Sequence, residues 1–153
     1  MPKDSTIRYA HTSLVADDWR RMVKFYSEVF GCVPIGDARD RKGPELDALT
    51  CVKNNHVEGR HLRLPGHGEH GPTLEIFQFK QNDAAPPPSV MRRGLSHLAF
   101  VVPDIEAKRR EVHVWGGKDY GQLVTLDIPG EGKLSVLYVC DPEGNVIELQ
   151  KWG

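Results

Sequence analysis

The chain has 153 residues, 39% hydrophobic and 27% charged, and its 20 basic and 21 acidic side chains leave a net charge of -1. That length holds one ordinary domain with a real core, or two very small modules, and the composition is that of a folded rather than a disordered chain. The near-balance of charge argues against nucleic acid or an anionic membrane as the main partner. No apolar run approaches the roughly 20 residues of a membrane span.

The opening MPKDSTIRYAH lacks the apolar core of a secretion signal, so a cytoplasmic location is expected. Three widely spaced cysteines, Cys32, Cys51 and Cys140, make neither a disulfide framework nor a zinc knuckle and are expected as reduced thiols.

In chain order, IRYAHTSLVA reads as a short strand. DDWRRMVKFYSEVFG follows as a helix, because Trp19, Met22, Val23, Tyr26, Val29 and Phe30 recur at spacings of three and four. Asp17 or Asp18 suits its start and Gly31 its end. CVPIGDAR is a strand, and residues 40 to 57 are polar and irregular, with a helical turn available in PELDALTCV. GRHLRLP and PTLEIFQF are two more strands, joined by the loop GHGEHG. QNDAAPPPSVMRR, residues 81 to 93, is a connector whose three consecutive prolines forbid helix and central strand.

The same order then recurs: strand GLSHLAFVV, helix PDIEAKRREVHVWGG with Asp104 as cap and Gly116 as stop, and strands DYGQLVTLDI, KLSVLYVCDP and NVIELQK. The second helix has a thin apolar stripe of Ile105, Val112 and Trp115. The expected fold is therefore α+β, two βαβββ modules (7–80 and 94–151) within a single domain 1–153, with paired curved mixed sheets around a shared metal-binding cavity.

Alternation along the strands selects the candidate ligands. Glu148 interrupts the apolar run of NVIELQ and shares a face with Val146 and Gln150, while Ile147 and Leu149 take the helix side. Glu75 holds the matching place in PTLEIFQF, with Phe77 and Phe79 on its face. His97 and His11 hold matching places in the first strands of the two halves. Each half thus offers one histidine and one glutamate. A buried carboxylate needs a compensating charge, and two imidazoles with two carboxylates suit a divalent Zn, Ni, Mn, Co or Fe ion better than calcium.

The chain resembles the vicinal oxygen chelate superfamily, which includes glyoxalase I, methylmalonyl-CoA epimerase, extradiol dioxygenases and bleomycin-resistance proteins. The resemblance spans nearly the whole chain. It is strongest in DPEGNVIEL, and HTSLVADDWRRMVKFYSEVFG and LSHLAFVV resemble the two module openings. It implies paired βαβββ modules around one divalent metal, with ligands at His11, Glu75, His97 and Glu148, a set similar to that of bacterial glyoxalase I. It implies a lyase or isomerase acting on a small substrate that chelates the metal through vicinal oxygens, with Glu148 as first choice of base and Glu75 as second. It also implies a homodimer. No counterpart is found for the residues by which glyoxalase I holds glutathione.

Two other functions compete. An Fe(II) ring-cleaving dioxygenase needs only two histidines and a carboxylate, and a fourth ligand at Glu75 counts against it. A non-catalytic antibiotic-binding protein needs no ligands. Outside the four, His61, His67 and His70 with Glu69 suggest either a mobile loop at the cavity mouth or a second metal. Arg92 and Arg93 are a solvated linker or an anion contact. Cys140 has no histidine partner at a recognisable spacing.

Overall fold

The protein is described by a computed structural model over residues 6–153, and the first five residues of MPKDSTIRYAH lie outside the described residues. The chain divides into two compact units. One comprises the residues up to Ser27 with Gly31–Asp83, the other Glu28–Phe30 with Ala84–Gly153. Each carries a mixed sheet and helix, so the expected α+β architecture of paired βαβββ modules is present.

The first unit contains β1 (His11–Val15), α1 (Trp19–Phe30, whose last turn is assigned to the second unit), β2 (Val33–Lys42), α2 (Pro44–Thr50), β3 (His56–Arg63) and β4 (Thr73–Phe79). Its strand order is β1-β4-β3-β2, with β1 parallel to β4 and the other pairs antiparallel. The start of α1 is set by Asp18, whose side chain accepts from the Arg21 N–H at 3.1 Å, a cap of about 1 kcal/mol. Gly31 ends it at φ 70°, a left-handed turn that glycine adopts without a Cβ clash. Trp19, Met22, Phe25, Tyr26 and Val29 are buried, each stabilising by about 1.5–3 kcal/mol. Phe25 belongs to this stripe where Val23 was expected: it lies three residues after Met22 and carries the larger ring into the core. Leu62, Leu74 and Ile76 are buried on one side of the sheet, and the Trp19 N–H donates to the Gln78 side chain at 3.1 Å, which fixes α1 on that side.

In PELDALTCV the helical turn forms as α2. Asp47 accepts from the N–H groups of Asn54 (2.7 Å) and Asn55 (2.9 Å) and folds the chain back into β3.

The second unit contains β5 (His97–Val101), α3 (Ile105–Val114), β6 (Lys118–Asp119), β7 (Val124–Ile128), β8 (Gly132–Cys140) and β9 (Val146–Trp152), in the order β5-β9-β8-β6 with β7 also on β8. The stretch DYGQLVTLDI, expected as one strand, is two pieces. From Asp119 to Val124 the chain takes five steps where its partner takes three, from Val139 to Val136, so the surplus bulges out around Gly121. Helix α3 is capped by Asp104, which accepts from Ala107 at 2.9 Å, and ends at Trp115 rather than Gly116. It buries only Ile105 and Val112. Polar ties supplement that thin stripe: Asp119 receives Arg109 through two bonds of 2.8 and 2.9 Å and His113 at 2.8 Å.

The turn DPEGN is built around Asp141, which is 1% exposed. Its carboxylate accepts from the backbone of Glu143 (2.9 Å) and Asn145 (3.0 Å) and from the Asn145 side chain (2.8 Å). Gly144 supplies the positive φ of 88° that the turn requires. The chain then enters β9 with Ile147 and Leu149 buried on the helix side and Glu148 on the other. Residues 81–96 contain no helix and no strand.

Candidate metal centre

Registered strands put the site together row by row, because residues directly opposite in a ladder share a side of the sheet. In the first unit one row runs Ile35, His61, Glu75, Ser13 across β2, β3, β4 and β1, and the next runs Val33, Arg63, Thr73, His11. His11, His61 and Glu75 therefore meet on the side away from α1.

Glu75 Oε2 lies 3.0 Å from His61 Nε2 and 3.4 Å from His11 Nε2. The two imidazoles meet edge-on with ring centroids 5.3 Å apart. The second carboxylate oxygen, Oε1, accepts from the Ser13 hydroxyl at 2.9 Å, and His61 Nδ1 is 3.1 Å from Thr73 Oγ1. Among the described residues, this is the only group in which three His, Cys, Asp or Glu side chains bring ligand atoms within 4.8 Å of one another.

The set fits a divalent ion. Metal bonds of about 2.0–2.2 Å at angles between square and tetrahedral separate neighbouring donor atoms by roughly 3.0–3.5 Å, which matches the two nitrogen–oxygen distances. Ser13 and Thr73 stand where partners of coordinating side chains belong, orienting the carboxylate and one ring. Burial pushes the His61 pKa below its ordinary value. His11, Arg39 and Arg41 push the same way, and only Glu75 opposes them. That direction favours the neutral imidazole, the form that donates a lone pair to a metal.

The remaining two sequence-selected residues lie in the second unit, on adjacent strands. His97 on β5 has Nδ1 2.9 Å from the Ser96 hydroxyl, and its ring packs 5.0 Å from that of Tyr138. Glu148 on β9 accepts from the Gln150 side chain at 2.6 Å and is registered with Tyr138 on β8 and Ala99 on β5. Tyr138 has its pKa raised, first by burial and then by Glu148, so it remains a neutral phenol.

His61 is the residue that strand alternation alone did not select. Its signal was present in the hairpin. Every β3–β4 pair is symmetric about Gly68, the middle of GHGEHG, and folding the sequence there sets His61 against Glu75. His67 and His70 join no such cluster among the described residues. Gly71 packs against His67, where an added Cβ would fall 2.3 Å from the histidine Cβ. Arg92 is exposed and donates to the Pro87 carbonyl at 3.0 Å. Cys140 is buried and its pKa raised by that burial, as is that of Cys32, pushed up to about 12, which makes both poor nucleophiles.

Residues 8–149 match the family model described as Glyoxalase/Bleomycin resistance protein/Dioxygenase superfamily. No curated protein sequence matches significantly. Among solved structures, the chain is similar to a glyoxalase family protein from Bacillus cereus (TM-score 0.77, 19% identity, 99% of this chain and 98% of that one). It is similar to a glyoxylase/bleomycin resistance protein/dioxygenase domain from Frankia sp. (TM-score 0.59, 18% identity, 97% and 94%). It is also similar to a glyoxalase family protein from Enterococcus faecalis (TM-score 0.58, 26% identity, 95% and 98%). At 18 and 19% identity the first two likenesses speak for the fold alone.

Proposed function

The chain belongs to the Glyoxalase/Bleomycin resistance protein/Dioxygenase superfamily, and from that premise we propose that it is a metal-dependent lyase or isomerase whose small substrate chelates one divalent ion through vicinal oxygens. The observation that carries this reading is the convergence of His11, His61 and Glu75 within 4.8 Å. These three residues would hold the ion, with Zn, Ni, Mn, Co and Fe all accepting such donors. A divalent ion there would polarise a substrate carbonyl and make the neighbouring C–H more acidic.

The protein's own groups supply the rest. Glu75 divides its oxygens, Oε2 toward the two imidazoles and Oε1 toward Ser13. The Ser13 hydroxyl steadies the carboxylate, and a shift of that hydrogen bond frees Oε1 to take a proton from an adjacent carbon. The role of base expected for Glu148 is kept as a separate proposal, as is a homodimer joined through sheet edges that a single chain leaves unpaired. No helix among the described residues is long and apolar enough to cross a membrane, and a cytoplasmic location is likewise part of the proposal.

A second reading has an observation of its own. Two histidines and one carboxylate make the facial set of non-haem Fe(II) oxygenases, and His61, unlike a second glutamate, leaves that count intact. A ring-cleaving dioxygenase is therefore the alternative. An antibiotic-binding protein without chemistry would have no use for the cluster.

The deciding experiment measures metal content after chelator-free purification, then α-proton exchange of small 2-oxo acids with deuterated solvent under strict anaerobiosis. Exchange with Zn or Ni bound, suppressed by Glu75→Gln or Glu148→Gln, is the expected result. Oxygen uptake during catechol cleavage, dependent on Fe(II), would replace this reading by the second.

A further inference from the structure

The row beside the cluster runs Arg39, Gly59, Phe77, Val15 across β2, β3, β4 and β1, and the one after it runs Arg41, Val57, Phe79. Arg39 and Arg41 thus stand on the same side of the sheet as His11, His61 and Glu75. Gly59 contributes no side chain, and the Phe77 ring closes over it, since a Cβ there would fall 2.5 Å from Phe77 Cδ1. Phe77 in turn meets His61 edge-on with ring centroids 5.9 Å apart.

Arg39 uses one N–H on the Asp37 carbonyl at 3.1 Å. Among the described residues, neither Arg39 nor Arg41 forms an ion pair with a carboxylate. With a divalent ion on His11, His61 and Glu75, this side of the sheet would carry, beside the charge of the ion, two guanidiniums that form no ion pair among the described residues. A guanidinium presents its N–H groups in a fork that matches a carboxylate or phosphate.

We infer that the substrate carries a second oxyanion, a carboxylate or a phosphate, received by Arg39 and Arg41 while its carbon chain lies along Phe77 between them and the chelating end. This rests on the metal-site reading above and adds the substrate class to it. One strand row is two residues, about 6–7 Å, so the two ends of the substrate are a few carbons apart.

The test uses zinc-loaded protein and three hydroxamates of matched length: butyrohydroxamate, succinate monohydroxamate and 3-phosphonopropionohydroxamate. All chelate, and only the last two carry a second oxyanion. Calorimetry at low salt should show at least one acid binding about tenfold more tightly than butyrohydroxamate, the scale of one charge-assisted pair. The tighter of the two names the oxyanion. In Arg39→Ala/Arg41→Ala the ratio should collapse below about threefold, and Arg39→Lys should recover part of it by restoring charge without the fork. Circular dichroism and thermal melts check that the variants fold. Equal affinity of all three probes, or a ratio that survives the double substitution, overturns this inference and leaves the metal site standing. Failure of the wild-type protein to take up zinc overturns both.

Discussion

The two units carry the same strand register and different chemistry. In the first, His61, Glu75 and Ser13 are aligned across β3, β4 and β1, with Thr73 beside His11. In the second, the corresponding places hold Tyr138, Glu148 and Ala99, with Val146 beside His97. The histidine of the first strand and the glutamate of the last are present in both. What differs is the set of side chains beside that pair. A phenol replaces an imidazole, a methyl replaces the hydroxyl that steadies the carboxylate, and an isopropyl group replaces the hydroxyl beside the ring. Glu148 takes its hydrogen bond from Gln150 instead. Backbone repetition thus fixes where a polar side chain can stand. Three or four neighbouring side chains set the hydrogen bonds it makes there.

The comparison is broken most directly at His61. His61→Ala should lower metal affinity by at least about 100-fold, the upper end of what removing even an outer-shell partner costs, as read by titration with a metallochromic indicator. His97→Ala should change it far less. An equal loss in both variants would show that the ligand set extends to the second unit, as the sequence expectation of His11, Glu75, His97 and Glu148 holds.

Gly59 is the next point of difference, because its counterpart in the second unit is Val136, opposite Gln150. A Cβ on Gly59 would fall 2.1 Å from the Ile76 carbonyl and 2.5 Å from the Phe77 ring. Gly59→Ala should therefore destabilise by about 2–4 kcal/mol in urea denaturation, where backbone as well as side chain must move. A change below about 0.5 kcal/mol would mean that the β3–β4 pairing adjusts freely.

Asp141 belongs to the second unit alone. Its substitution by Ala leaves the backbone N–H groups of Glu143 and Asn145 without their acceptor and should cost about 1–3 kcal/mol by the same assay.

The smallest effect separates the two helices. Helix α1 is held by a broad buried stripe, whereas α3 relies on Asp119, whose carboxyl is held at about 2 mainly by hydrogen bonding to Arg109. A carboxyl whose pKa falls on folding contributes stability that is complete above its unfolded value near 4 and is lost as the pH drops through 2. Asp119 is half exposed, so solvent screening keeps the effect small. Asp119→Asn should lower the melting temperature slightly at neutral pH and flatten its fall between pH 4 and 2, so that the two proteins converge at the acid end. An unaltered acid limb would mean that the contact with Arg109 holds nothing.

The sequence by itself determined the repeated order of elements, a cap at Asp17 or Asp18 and one at Asp104, the turn at Asp141, and the side of the strand on which His11, Glu75, His97 and Glu148 stand. These follow from local chemistry: a side-chain oxygen two or three residues from an open N–H, a period of two along an extended chain, a period near four along a helix. The tertiary structure decided which of those side chains are neighbours. That His61 rather than His67 or His70 meets Glu75 depends on the register of β3 on β4, and a shift of one residue would have sent His61 to the α1 side. Arg39 reaches the row next to His61 only because β2 bulges between Ile35 and Arg39. Pairing energy is spread along whole strands and set by the packing of both faces, so no short stretch of sequence contains it.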